Sequence, residues 1–186
     1  MFPRLMLAFG LFLTGSASAA PPPAELAALL PAGGTLLEHA RADLNGDGRD
    51  DYVYIVEAGG EDGQRVLHIA IREVGGKLHR VKSNAKLVRC ARCGGVMGDP
   101  FNELSAQKNG FSVSHYGGSG WRWATTVDFR YSNRDKSWQL VRAEKSSFHV
   151  AQPDDVQSDV HRPPKDFGKI DIADFDPDHY LGVGPR

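Results

Sequence analysis

From Trp121 to Tyr131 the chain alternates without a break. Trp121, Trp123, Thr125, Val127, Phe129 and Tyr131 fall on one side of an extended segment, and Arg122, Ala124, Thr126, Asp128 and Arg130 on the other. A helix is incompatible with that period, because residues two apart stand on opposite sides of it. Just upstream, Phe111, Val113 and His115 alternate with Ser112 and Ser114, and Gly117-Gly118-Ser119-Gly120 supplies a turn. The two segments predict an antiparallel hairpin with one buried and one polar face. A strand pair with an apolar side needs a second layer to cover it, so a packed β domain is expected.

The rest of the chain fits that expectation. Tyr52 to Glu57 is rich in β-branched and aromatic residues, and Val66 to Glu73 alternates, with Leu67, Ile69 and Ile71 opposed to His68, Ala70 and Arg72. Gly59-Gly60 and Gly75-Gly76 punctuate these runs, and Trp138, Leu140 and Arg142 begin a further strand after the polar turn Ser132 to Lys136. Ala24 to Leu30 is rich in helix formers and is ended by Pro31 and Gly33-Gly34. From Gln152 to Arg186 the chain carries Pro153, Pro163, Pro164, Pro177 and Pro185 among many acidic residues, which predicts surface loops with one short element around Lys169 to Phe175. The expected architecture is mainly β, a β-rich α+β fold of antiparallel sheets with a short N-terminal helix, in a single domain. Its parts are a signal peptide (1–20), a Pro-rich start and short helix (21–34), a β-rich domain (35–150) and a Pro/Asp-rich C-terminal wrap (151–186). No internal repeat recurs at a fixed period, which excludes a complete multi-bladed propeller.

The N-terminus predicts export. Arg4 precedes an apolar run from Leu5 to Leu13 broken only by Gly10, and Ala17-Ser18-Ala19 fits a small-residue cleavage site, placing the cut near Ala19 or Ala20. A membrane span needs roughly twenty apolar residues, about twice this run, so no span is expected in the mature form. A periplasmic or secreted bacterial protein follows. Removing Arg4 with the leader leaves 21 basic residues against 23 acidic ones, shifting the net charge from −1 to −2. That balance gives no nucleic-acid footprint and no polybasic membrane patch.

Cys90 and Cys93 are the only cysteines. In an oxidising compartment such a pair closes as a short disulfide clip. Two sharper readings share the spacing: a thiol-disulfide oxidoreductase using Cys90 and Cys93, and a zinc site completed by His79 or His115. The Gly-rich surroundings and the single C-x-x-C argue against both.

Asp43-Leu44-Asn45-Gly46-Asp47-Gly48-Arg49-Asp50-Asp51 fits a D-x-N-x-D-G loop with a further carboxylate at its ninth position. This spacing brings oxygen atoms round one point, as Ca²⁺ requires. An EF-hand needs Glu at the twelfth position, which is Tyr54 inside an apparent strand. The competing reading is an Asx-rich turn whose side chains satisfy its own backbone. With the strand that follows it, residues 43–57, the loop resembles the calcium loops of FG-GAP and VCBS-type repeats. That resemblance implies Asp43, Asn45, Asp47 and Asp51 as side-chain ligands and Arg49 as a carbonyl ligand to a structural Ca²⁺.

A second resemblance rests on Cys93-Gly94-Gly95-Val96-Met97-Gly98-Asp99-Pro100-Phe101, His115-Tyr116-Gly117-Gly118-Ser119-Gly120-Trp121-Arg122-Trp123, Phe129-Arg130-Tyr131 and Lys165-Asp166-Phe167-Gly168. These strings are similar to a family of exported bacterial proteins of uncharacterised function. The likeness implies a possible cell-envelope component and brings no activity with it.

Among the remaining polar residues, Asp99, His115 and Arg122 flank glycine turns and are candidates to line a cleft; equally, Arg122 is a candidate partner for Asp99 or Asp128. Gly117 to Trp121 fails the G-x-S-x-G nucleophile pattern because Trp121 stands at the last glycine, so Ser119 reads as a turn residue. Trp121 and Trp123 offer either core packing, which their alternation with Val127 and Phe129 favours, or a stacking platform for a cell-wall glycan. The sequence thus points to an exported domain that binds or supports without catalysis, with unknown partner.

Overall fold

The computed structural model describes residues 23–59 and 63–180; the leader expected over 1–20 lies outside these residues. Nine strands form two antiparallel sheets in one domain. The first sheet orders β1 (Gly34–Ala42), β2 (Asp51–Ala58), β3 (Arg65–Arg72) and β4 (Leu78–Asn84) as a meander. The second orders β5 (Phe101–Gln107), β6 (Gly110–Gly118), β7 (Trp121–Ser132), β8 (Ser137–His149) and β9 (Gln152–His161) in the same way. Among the described residues helix is confined to short pieces, including α1 (Ala24–Ala27) and α2 (Pro177–Tyr180).

The alternation read in the sequence becomes the core. Val53, Ile55, Leu67 and Ile69 from the first sheet belong to the same buried cluster as Phe111, Val113, Val127, Phe129 and Leu140 from the second. Phe111 stacks on Phe129 at 5.2 Å between centroids, as cross-strand partners. The outer face of the first sheet is covered as well. Tyr52, Tyr54, Val56, Ala70 and Leu78 pack with Leu26, Leu29, Leu30 and Leu36 around α1. The Tyr52 hydroxyl donates to Glu25 at 2.6 Å, and Arg72 reaches the same carboxylate at 2.9 Å.

The tail departs from expectation twice. Gln152–His161 is a ten-residue strand where loops are expected, because its backbone extends the ladder of β8 even though its side chains bury nothing. Further on, the chain plugs the core instead of wrapping the surface. Phe167, Ile172 and Phe175 are buried in the main cluster, with Phe175 edge-on to Phe129 at 5.4 Å. Two backbone bonds, Leu140 N–H to Ile170 O and Ile172 N–H to Trp138 O, tie this segment to β8. Buried Asn84 donates to the carbonyls of Ile172 and Phe175 and accepts from the N–H groups of Lys86 and Leu87. The short element expected near Lys169 to Phe175 is therefore a bridge, Gln139 to Asp171, followed by a turn.

The cysteines are joined, Cys90 to Cys93. The clip closes a four-residue loop, so breaking it with a Cys90→Ser, Cys93→Ser double variant is expected to cost about 2 kcal/mol by loop-closure entropy. Chemical denaturation of the variant against the parent measures this.

Candidate functional site

The two sheets differ in what covers their outer faces. Nothing among the described residues packs over the outer face of the second sheet as α1 packs over the first, and that face is polar. Register explains why: Ser112 stands opposite Asp128, Ser114 opposite Thr126 and Tyr116 opposite Ala124, so the polar half of each alternation assembles into one surface. Asp128 and Thr126 in turn face Arg142 and Glu144 on β8. The surface holds a groove of about 580 Å³, lined among others by Asn102, Ser105, Ser114, Tyr116, Thr126 and Arg142. That volume is in the usual range for a small-ligand site.

Two of the groove's charged groups, Asp128 and Arg142, are fixed by one another, and Glu103 also lines it. Arg142 bridges Asp128 and Glu144, and the Ser112 hydroxyl donates to Asp128. Asn102 donates to Ser114 Oγ at 3.0 Å, while Ser158 from β9 reaches Glu144 at 3.3 Å. The result is a row of hydroxyls, an amide, carboxylates and a guanidinium beside one phenol ring. Donors and acceptors alternate at short spacing, and a single guanidinium, Arg142, stands against the carboxylates of Glu103, Asp128 and Glu144, which leaves the groove net acidic and unsuited to an anion. Such a surface suits a neutral ligand that both gives and takes hydrogen bonds.

Of the residues singled out as a possible cleft, Asp99 and His115 lie near each other beside Arg65, and Arg122 stands apart. Arg65, which is 3% exposed, takes Asp99 in a bidentate pair at 2.6 Å on both arms and adds Glu57 at 2.7 Å. The Arg65 guanidinium beside Asp99 holds its carboxyl below the usual range. His115 is buried on β6 and belongs to the lining of the groove, and its Nε2 accepts the Arg89 N–H at 3.3 Å. Burial, with Arg89 and Arg65 nearby, pushes its pKa down to about 4. Arg122 lies on the opposite face and donates to Gly118 O at 3.0 Å. The pairings expected of Arg122 are thus taken by others: Arg65 holds Asp99, and Arg142, the cross-strand partner of Asp128, holds that acid, whereas Arg122 shares the face of Asp128 but stands six residues away on the same strand.

The tryptophans divide. Trp123 lies over Gly117, where a Cβ would come within 2.6 Å of the ring, and carries Arg89 at 5.3 Å. The neighbouring Gly118 has φ 113°, and a Cβ there would meet Trp121 O at 2.0 Å, so this turn requires glycine. Trp121, expected in the core, is 47% exposed and meets His149 edge-on at 5.2 Å. It stands at the end of the hairpin, past the Thr125, Val127 and Phe129 stretch that the first sheet covers. Neither indole lines the groove.

The Asp43 loop closes on its own donors. Asp43 accepts the N–H groups of Gly46, Asp47 and Gly48 at 2.7 to 3.0 Å. Asn45 Oδ1 accepts Asp47 N–H, Asp47 Oδ1 accepts Arg49 N–H, and the Arg49 guanidinium pairs with Asp47 Oδ2. Asp51 is fully buried; its two oxygens accept the N–H groups of Leu44 and Arg72 at 3.0 and 2.8 Å. Burial, opposed by those two bonds and assisted by Asp47 and Asp43, raises its pKa. In this arrangement the side-chain oxygens of the loop accept its own N–H groups, and a guanidinium pairs with Asp47. Among the described residues no group of three or more His, Cys, Asp or Glu is placed to hold a metal ion.

At the other end, Cys90 is partly buried and Cys93 exposed, in a turn followed by a single 3₁₀ turn at Gly95–Met97. No α-helix N-terminus stands there to activate a thiolate. Among the described residues no helix is long and apolar enough to cross a membrane. Comparison of the chain with family models, with curated proteins and with solved structures found no match.

Proposed function

We propose that the chain is an exported binding domain that takes a neutral, polyhydroxylated ligand, a cell-wall glycan segment, on the open face of its second sheet, with no chemical step. One observation carries this reading: of the two outer sheet faces, one is largely covered by apolar side chains around α1, leaving a pocket of about 370 Å³ beside Val56 and His68, while the other is polar and forms a groove of about 580 Å³. Paired hydroxyls, Asn102 and the Asp128–Arg142 pair offer adjacent donors and acceptors, which is what vicinal sugar hydroxyls need, and Tyr116 adds a ring edge or face for a pyranose. The glycan reading thus moves from Trp121 and Trp123 to the sheet. Export rests on the leader residues and the disulfide clip, which suits an oxidising compartment.

Calorimetric titration with soluble glycan strands released from bacterial cell wall tests the proposal. Thr126→Trp, which fills the groove floor from a half-buried position, is expected to weaken binding by about tenfold or more, while Trp121→Ala changes it by less than about twofold. Loss of binding in Trp121→Ala with Thr126→Trp unaffected would return the site to the hairpin end.

A further inference from the structure

β9 is the last strand of the second sheet, and all ten of its residues are exposed. A strand of this kind gains nothing from side-chain burial and leaves one edge of N–H and C=O groups without a strand partner among the described residues, an arrangement that invites pairing with another chain. We propose that β9 pairs antiparallel with β9 of a second copy, across a two-fold axis centred on Ser158.

The sequence of the strand selects that register. Centred on Ser158, Val156 stands opposite the second copy's Val160, Asp155 opposite its His161, and Asp154 opposite its Arg162. Val156 and Val160 are 54% and 36% exposed in one copy and cover each other in two. Centring on Gln157 sets Asp155 against Asp159, and centring on Asp159 sets that aspartate against itself; both place like charges opposite each other. A centre between Gln157 and Ser158 places Asp155 against Val160 and Asp159 against Val156. Only the Ser158 centre matches acid with base and valine with valine.

The geometry has a functional consequence, which rests on the groove reading above although the self-association does not. A two-fold that pairs strands edge to edge runs perpendicular to the sheet, so both grooves open on the same side of one ten-stranded surface. A polymer with repeating units then meets two sites at once, and tethering raises its effective concentration at the second.

Sedimentation equilibrium of the mature protein without ligand tests the pairing. A monomer–dimer equilibrium is expected at micromolar to sub-millimolar concentration. Asp154→Arg and Arg162→Asp alone each raise the dissociation constant by about fivefold or more, since each change strikes two symmetric contacts. The double variant restores it to within about twofold. A monomer at every concentration, or a dimer whose constant ignores both single variants, overturns the proposal. Both positions are exposed, so circular dichroism is expected to show every variant folded like the parent.

Discussion

Acidification from neutral pH to about pH 4 is expected to cost the fold about 3 kcal/mol for each of two buried histidines, His68 and His115. Both imidazoles have pKa values lowered from 6.5 to about 4, chiefly by burial; Arg80 adds to the effect at His68, and Arg89 and Arg65 at His115. Above pH 6.5 the imidazoles are neutral in folded and unfolded chains alike, and the fold keeps its full stability. Between 6.5 and about 4 the unfolded chain takes up protons that the folded chain refuses, so stability falls across that window and levels off below it. The carboxylates with lowered pKa values, among them Asp99 and Asp171, withdraw their contribution only at lower pH. Urea unfolding at pH 7 and pH 4.5 measures the loss. His115→Gln, which keeps an acceptor for the Arg89 N–H, and His68→Gln are each expected to flatten the pH dependence; an equally steep loss in the double variant would contradict the assignment.

Asp51→Ala is expected to destabilise the protein by about 3 kcal/mol, since it strands the N–H groups of Leu44 and Arg72 at the base of the Asp43 loop. Relief of the buried carboxylate's desolvation offsets part of that cost, which is why the figure stays below the sum for two orphaned donors. Asp51→Asn keeps one acceptor and is expected to fall between parent and Ala. Because the loop is closed by its own donors and Arg49, the melting temperature of the parent is expected to stay the same with millimolar Ca²⁺ and with chelator. A rise of several degrees on adding Ca²⁺, lost in Asp51→Ala, would show that a cation displaces this arrangement.

Local pattern carried the parts of the fold that were legible in advance. The unbroken alternation of Trp121 to Tyr131 places β7 and its buried side, and the glycine run places the hairpin turn, since each follows from neighbours in sequence. β9 escaped because its residues, Pro153 and three aspartates among them, show no apolar period; an edge strand that buries nothing leaves no such signal. The plug at Phe167, Ile172 and Phe175 escaped for the opposite reason, as three apolar residues in a Pro-rich tail acquire meaning only when β8 and Asn84 are there to receive them. The bidentate grip of Arg65 on Asp99 joins positions 34 apart, beyond any spacing rule.

The groove was half visible. Ser112, Ser114, Thr126 and Asp128 stand on the polar side of both predicted strands, and a run of hydroxyls on that side was the available signal. What the sequence alone leaves open is which strands flank the hairpin, and therefore that Asn102, Ser105 and Arg142 complete the surface. Loop signals point instead to Asp99, His115 and Arg122; of these His115 lines the groove and lies near Asp99, which Arg65 holds, while Arg122 is bonded to its own turn.

A ¹⁵N-resolved NMR titration of the mature protein with soluble cell-wall glycan strands tests the central claim most directly. Saturable shifts confined to amides around Asn102, Ser105, Ser112, Ser114, Thr126 and Arg142 are the predicted result. Shifts gathered at Trp121 and the Gly117 to Gly120 turn, or no shifts at all, would contradict it.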